Sequence, residues 1–199
     1  MSHGAKYGVG EVTAKVDYDA AKDHVHDVIA QIAPVDSVER FEGLGVHVIS
    51  EFGKFISKTE VQAGDTIIEA RRFVVATGSG PFVPPIPGLD TVKHYTNEDI
   101  FDLREKPKHL IIIGGGPIGM EMAQAHVRLG CEVTVIEGAK AFGKDDPEMA
   151  AIVLENLKSE GINIVEDAQA EKINGKGKTI TVHTPKGDFT GSHLLMAVG

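Results

Sequence analysis

Leu110, Ile111, Ile112 and Ile113 form an unbroken apolar run, the pattern of a parallel strand covered on both faces. A glycine-rich turn follows, Pro117 suits the first position of a helix, and Gly130 closes that helix. Residues Glu132 to Ile136 then alternate toward a second strand. After the loop Gly138 to Lys144, Asp146 is placed as an N-cap, with Pro147 first in the helix and Glu148 in its first turn. Ile152, Val153, Leu154 and Leu157 are its apolar positions and Gly161 its stop. Residues Gly161 to Val165 predict the third strand of a βαβαβ unit. Lys172 to Thr190 predict an antiparallel meander with turns at Asn174-Gly175 and Lys186-Gly187, and His193 to Gly199 a last buried strand.

The first half carries a weaker version of the same pattern. Asp19 to Ala33 predicts a helix with Val25, Val28, Ile29 and Ile32 on one face, ended by Pro34. Gly45 to Ser50 alternates as a strand, and Glu51 to Glu69 predicts a small meander joined at Ala63-Gly64-Asp65. Arg72 to Gly78 predicts a buried strand. Gly80 to Asp90, rich in proline and glycine, is a linker and a candidate domain boundary. Thr96 to Arg104 predicts a short helix, with Thr96 as N-cap and Asp99 three residues later. Strand, meander and strand thus occur twice, as GVHVIS to RFVVATG and as GINIVE to HLLMAVG. Only the second copy is preceded by a glycine turn. Counting back from Gly45 by the distance that separates Gly161 from Gly114 lands before Met1, so the chain is expected to be a piece of a longer protein.

The turn supplies the chemistry. Gly114, Gly116 and Gly119 are spaced G-x-G-x-x-G. The first permits a tight turn, the second lets a pyrophosphate approach the backbone, and the third lets helix and strand pack closely. Free N–H groups at the helix start favour an anion. Glycines alone would also fit an ordinary strand–helix–strand. Glu137, at the end of the next strand and close to the ~20-residue offset of an acid that holds a ribose hydroxyl, makes the dinucleotide reading the stronger one. Its carboxylate would repel a 2′-phosphate, which favours NAD over NADP, although Lys140 nearby softens that preference.

Composition narrows the partners. A net charge of −9 over 199 residues argues against nucleic acid and anionic membranes. No apolar run approaches the ~20 residues of a membrane span, and MSHGAKYGVG lacks the apolar core of a signal peptide, so a cytoplasmic protein is expected. The single cysteine, Cys131, reads as a buried structural thiol and rules out an internal dithiol centre. His24 and His26 are two apart and cannot share a metal on a helix, and the other histidines are scattered, so no metal site is expected.

Taken together, ATGS with its following prolines (Ala76 to Gly88), IIIGGGPIGME (Ile111 to Glu121), VTVIE and LLMAVG resemble the class I pyridine nucleotide-disulfide oxidoreductases. These are the flavoenzymes that include dihydrolipoamide dehydrogenase, mercuric reductase and glutathione reductase. The resemblance implies an α/β, Rossmann-like three-layer ββα fold with antiparallel meander insertions. It implies a partial FAD-binding domain over residues 1–93, a linker over 94–107 and a complete NAD-binding domain over 108–199. It further implies that Gly114, Gly115, Gly116, Pro117, Ile118, Gly119, Met120, Glu121, Glu137, Ala170 and Gly199 line an NAD site, and that Gly53, Thr77, Gly78 and Ser79 touch FAD. In the family Glu121 pairs with a lysine near the redox centre.

In such enzymes NAD(P)H reduces FAD, which reduces a cysteine pair and then a disulfide or metal-ion acceptor. The chain departs from that pattern in lacking the FAD glycine loop, the C-x-x-x-x-C pair and the C-terminal dimerisation domain with its His-Glu pair. The expectation is therefore a central fragment, with no catalytic residue of its own, of a parent that is a homodimeric oxidoreductase. Two other readings stay open: a stand-alone NAD(H)-sensing module, and a piece of a flavin-dependent NADH reductase without the cysteine pair.

Overall fold

The computed structural model describes residues 15–198. Packing divides them into two units, one formed by the residues up to Asp23 together with those from Pro81 onward, the other by His24–Gly80.

The larger unit is built on a four-stranded parallel sheet in the order β10-β4-β5-β6, with β4 His109–Ile113, β5 Glu132–Ile136, β6 Asn163–Val165 and β10 His193–Met196. Helix α3 (Pro117–Arg128) joins β4 to β5, and α4 (Pro147–Ser159) joins β5 to β6. Asp146 caps α4 by accepting from the backbone N–H of Glu148 and Met149 at 3.0 and 3.2 Å. The continuous apolar run of β4 is explained by what covers each face. Leu110 and Ile112 pack with Met120, Ala123 and Leu157 on the helix side. Ile111 and Ile113 pack with Ile173, Ile180 and Val182 on the other. That second face is covered by an antiparallel meander of β7 (Lys172–Lys176), β8 (Thr179–Thr184) and β9 (Gly187–Gly191). Helices, parallel sheet and meander make the three layers expected of the ββα fold.

The first turn of the meander falls at Gly177-Lys178, not at Asn174-Gly175. Gly175 lies inside β7, where a Cβ would sit 2.6 Å from Val92 Cγ1. The glycine there serves close packing, and Gly177, at φ +62, takes the turn. The expected helix at Thr96 is a short 3₁₀ turn, Ile100–Asp102. Its entry is nonetheless fixed by reciprocal bonds, Thr96 N–H to Asp99 at 2.6 Å and Glu98 N–H to Thr96 Oγ1 at 3.3 Å. The proline-rich stretch after Gly80 is docked. Ile86 and Leu89 are buried in the meander-side core, and Pro87 O accepts from Ile173 N–H at 2.8 Å.

The smaller unit departs from the sequence expectation. Helix α1 (Tyr18–Ile32), which begins in the larger unit, is followed by α2 (Val38–Gly43). A meander of β1 (Gly53–Phe55), β2 (Glu60–Ala63) and β3 (Thr66–Glu69) then forms as expected. The flanking strands do not form. Residues 47–50 and 72–78 take part in no strand pairing, Gly45 and Val46 bond back to Glu42 O and Phe41 O, and Val74 and Val75 are 92% and 70% exposed. A buried parallel strand needs a neighbour on each side for its N–H and C=O groups, and no described residue of His24–Gly80 supplies one. The apolar face of α1 is likewise uncovered at Ile29 and Ile32.

One buried cluster joins the start of α1 to the helix layer. Tyr18 and Lys22 are buried, and Lys22 Nζ donates to Ile100 O at 2.9 Å. His126, also buried, donates from Nδ1 to Met122 O at 2.8 Å, while its Nε2 and the Tyr18 hydroxyl find no protein partner. Burial pushes the Cys131 thiol up, as expected of a structural cysteine. Burial pulls the His126 imidazole below its ordinary value, and Lys22 and His193 act in the same direction. A depressed folded-state value means that the unfolded chain binds the proton more readily. The stability His126 contributes is therefore complete above the ordinary histidine value and is lost as pH falls through the folded-state value. Thermal unfolding followed from neutral to mildly acidic pH should show a steep loss in the native chain and a shallower one in His126→Leu. Equal slopes would contradict this account.

Candidate functional site

The cleft lies where the parallel strands end. Gly114 follows β4 at φ +118, with its N–H bound to Ile136 O at 2.9 Å. A Cβ there would lie 2.4 Å from Ala197 O, so the turn closes only with glycine. Gly119 packs the start of α3 onto the same turn, where a Cβ would meet Gly114 O at 2.1 Å. Gly116 differs from both, since nothing lies within 4 Å of its Cβ position. The open space stands at the first turn of a helix whose N–H groups are free, the arrangement that suits a phosphate.

Glu137 joins the two sides of this turn. One carboxylate oxygen accepts from Gly115 N–H at 2.7 Å and the other from Ala139 N–H at 2.8 Å. The acid that ends β5 is therefore seated against the glycine loop, with its Cβ 3.0 Å from the Cβ position of Gly115. Lys140 also lines the cleft but is turned to Asp167, at 2.7 Å, with Glu166 at 4.0 Å. The hydrogen bond to Asp167 raises the ammonium above its ordinary value and lowers the Asp167 carboxyl. Glu166 in turn accepts from Ala141 N–H at 3.0 Å.

The cleft has a volume of about 830 Å³, within the range of small-molecule and cofactor sites. Gly114, Gly115, Gly116, Pro117 and Glu137 line it together. Ile118 is exposed on the first turn of α3, and Gly119 is buried beneath the turn. Three expected residues stand elsewhere. Met120 is 2% exposed in the helix-side core, Ala170 is buried in the meander-side core, and Glu121 is exposed on α3 with no ion pair among the described residues. Gly199 lies outside the described residues, but its neighbours Ala197 and Val198 line the cleft.

The sequence reading missed Ala139, Phe142, Gly143, Lys144 and Asp145, which form the wall after Glu137. Phe142, at φ +53, donates its N–H to Gly115 O at 3.0 Å and so ties this loop to the glycine turn. A loop that leaves an acid beside a glycine turn must pass the same opening. That position was the available signal.

The residues expected at FAD fall in the smaller unit. Gly53 opens β1, and Thr77, Gly78 and Ser79 are exposed, with nothing within 4 Å of the Gly78 Cβ position. They form no cradle there. Among the described residues no group of histidine, cysteine and carboxylate side chains could hold a metal ion, and no helix is long and apolar enough to cross a membrane.

Comparison with known proteins fits this geometry. Residues 11–199 match the pyridine nucleotide-disulphide oxidoreductases. The chain belongs to that family. It is 31% identical over 197 residues to a mercuric reductase of Bacillus cereus, covering 96% of this chain and 31% of that protein. It is 36% identical over 140 residues to a mercuric reductase of Streptomyces lividans, covering 68% and 30%. The chain thus spans about a third of the length of these curated relatives. Among solved structures, the HOCl-induced flavoprotein disulfide reductase RclA of Escherichia coli superposes with a TM-score of 0.79 at 28% identity, covering 92% of this chain and 43% of that one. LpdA of Mycobacterium tuberculosis gives a TM-score of 0.79 at 26% identity, covering 100% and 45%. The family is one of enzymes that use nicotinamide dinucleotide and FAD.

Proposed function

We propose that this chain is the NADH-binding part, with the C-terminal part of the FAD domain, of an oxidoreductase that passes electrons from NADH through FAD to a disulfide or metal-ion acceptor. Residues 108–199 form the nicotinamide dinucleotide domain, residues 1–93 the partial flavin domain, and residues 94–107 the connection. The observation that carries this reading is the Glu137 carboxylate held at 2.7 Å from Gly115 N–H, which puts an acid beside an open pyrophosphate turn. A bound dinucleotide supplies the hydride, and the chain supplies its placement. The backbone at Gly116 and the first turn of α3 receives the pyrophosphate, Glu137 accepts from the ribose hydroxyls, and the loop from Ala139 to Asp145 shields the adenosine end.

Lys140 is tethered to Asp167 and cannot readily neutralise a 2′-phosphate, which supports NADH over NADPH. The family supports the flavin assignment of Gly53, Thr77, Gly78 and Ser79, and also a homodimeric whole protein. A single cysteine supports a chain that carries out no dithiol–disulfide exchange by itself. The test is a fluorescence titration of the chain with NADH and NADPH. Saturable NADH binding, with NADPH weaker by about tenfold or more, is the expected result. Absence of saturable binding of either would overturn the reading.

A further inference from the structure

The dinucleotide cleft opens at the C-terminal ends of the parallel strands. A second concavity lies at their N-terminal ends, around His193. Five residues of β4 separate the two, roughly 16 Å at the rise of a strand. A hollow of about 370 Å³ is lined by Lys93, Tyr95, Glu105, Lys178 and His193 among others. A neighbouring hollow of about 340 Å³ shares Glu105, Lys178 and His193 with it and adds Lys106 and Lys108. An adjoining arm carries Asp99, Asp102 and Arg104.

The walls are held by regular backbone. Tyr95 N–H donates to Leu194 O at 2.8 Å and Tyr95 O accepts from Met196 N–H at 2.7 Å, so Tyr95 extends the parallel sheet beside β10. The buried Tyr95 ring carries Lys93 Nζ 4.7 Å from its centroid and stacks on the His193 ring at 6.2 Å. His193 is half-buried. Its Nδ1 lies 2.9 Å from Ser192 Oγ, which also accepts from the N–H groups of Lys108 and His109. Its Nε2 has no protein partner among the described residues. The floor of the groove is thus pre-shaped by the sheets, and the lysines and Glu105 stand on the loops and the turn around it.

Its charge is opposite to that of the chain. The protein carries a net −9, yet the two hollows bring together four lysines and one carboxylate, with the three charges of the arm beyond. Glu105 pairs with Lys178 at 2.8 Å, and Arg104 pairs with Asp23. Lys93, Lys106 and Lys108 have no carboxylate at ion-pair distance among the described residues. Two ammonium groups, those of Lys93 and Lys178, beside an imidazole with a vacant nitrogen match a compact dianion, and lysine serves such groups as a point charge.

We propose that this groove is a second ligand site, distinct from the dinucleotide cleft, which takes a small phosphate-bearing molecule between Lys93, Lys178 and His193. The charge surplus in an acidic protein and a floor of Tyr95, Gly175, Ile180 and His193 held in the sheets carry it. Burial holds the His193 imidazole below its ordinary value, with Lys93 and Lys178 adding to the effect and Glu105 opposing it. A bound dianion reverses that field.

The experiment titrates the full chain with pyrophosphate and follows the His193 ring and the Gly177 and Ser192 amides by NMR. The expected result is saturable binding that raises the His193 titration midpoint. It should weaken about tenfold or more in Lys93→Gln and in Lys178→Gln, and tighten in Glu105→Gln, which frees Lys178. Lys178 is 85% exposed, so its variant keeps the fold even if Lys93→Gln loosens Tyr95. Shifts confined to the amides of Gly114, Gly115 and Gly116 would overturn the proposal by placing the anion at the dinucleotide turn alone. A drift that never saturates and is equal in all variants would overturn it as simple screening.

Discussion

Gly119→Ala should destabilise the larger unit and abolish NADH binding, whereas Gly116→Ala should abolish binding and leave the fold nearly intact. The two glycines sit three residues apart in one motif, but their surroundings differ. At Gly119 the added methyl would lie 2.1 Å from Gly114 O. That carbonyl cannot retreat, because Gly114 N–H is bound to Ile136 O and the Gly114 α-carbon is packed under Ala197. Helix α3 must shift instead, at a cost of about 3 kcal/mol by analogy with overpacked cores. That corresponds to a fall of roughly 6–12 °C in Tm for a domain of this size. At Gly116 the methyl meets no protein atom. It would occupy the space left for the pyrophosphate, and its effect on stability should stay within about 1 kcal/mol, the scale of an N-cap change. Thermal unfolding and NADH titration of both variants check the contrast. If Gly116→Ala bound NADH normally, the open space at the turn would not be the pyrophosphate site.

Glu137→Ala should weaken NADH binding by about 10- to 100-fold, the range that follows from losing charged hydrogen bonds worth roughly 1.5–3 kcal/mol. The substitution also strips the acceptors from Gly115 and Ala139 N–H, so the free loop loses order as well as a ligand contact. It should not by itself create an NADPH-binding protein. Lys140, the nearest cation, remains held by Asp167 at 2.7 Å. Asp167→Asn releases it. The double variant Glu137→Ala with Asp167→Asn should therefore shift the NADPH-to-NADH affinity ratio by more than the product of the two single shifts. A double-mutant cycle on the two dissociation constants measures that coupling. Strict additivity would show that Lys140 plays no part in the choice.

The core of the larger unit was legible because each signal there is local. Leu110 to Ile113 must be covered on both faces whatever covers them, and Gly114, Gly116 and Gly119 each solve a steric problem within one strand–turn–helix. Asp146, Pro147 and Gly161 bound α4 by the hydrogen-bond needs of its ends, and they do so in the structure. Gly175 was misread because a glycine after asparagine suits a turn as well as a close contact, and only the nearness of Val92 distinguishes them. Met120 and Ala170 were assigned to the cleft by position in a motif, while their side chains belong to the two cores.

By itself the sequence determined the parallel βαβαβ unit, its meander, the glycine turn and the acid beside it. These follow from hydrophobic period, glycine spacing and capping residues, which act within a few residues of themselves. Tertiary structure alone decided that Arg72 to Gly78 remains an exposed, unpaired segment. A β-strand is stabilised by its neighbours, and no run of valines can supply them. It also decided that Lys140 turns to Asp167, that Phe142 closes on Gly115, and that Lys93 and Lys178, far apart in sequence, meet at His193. Each of these depends on distances that chain separation does not encode.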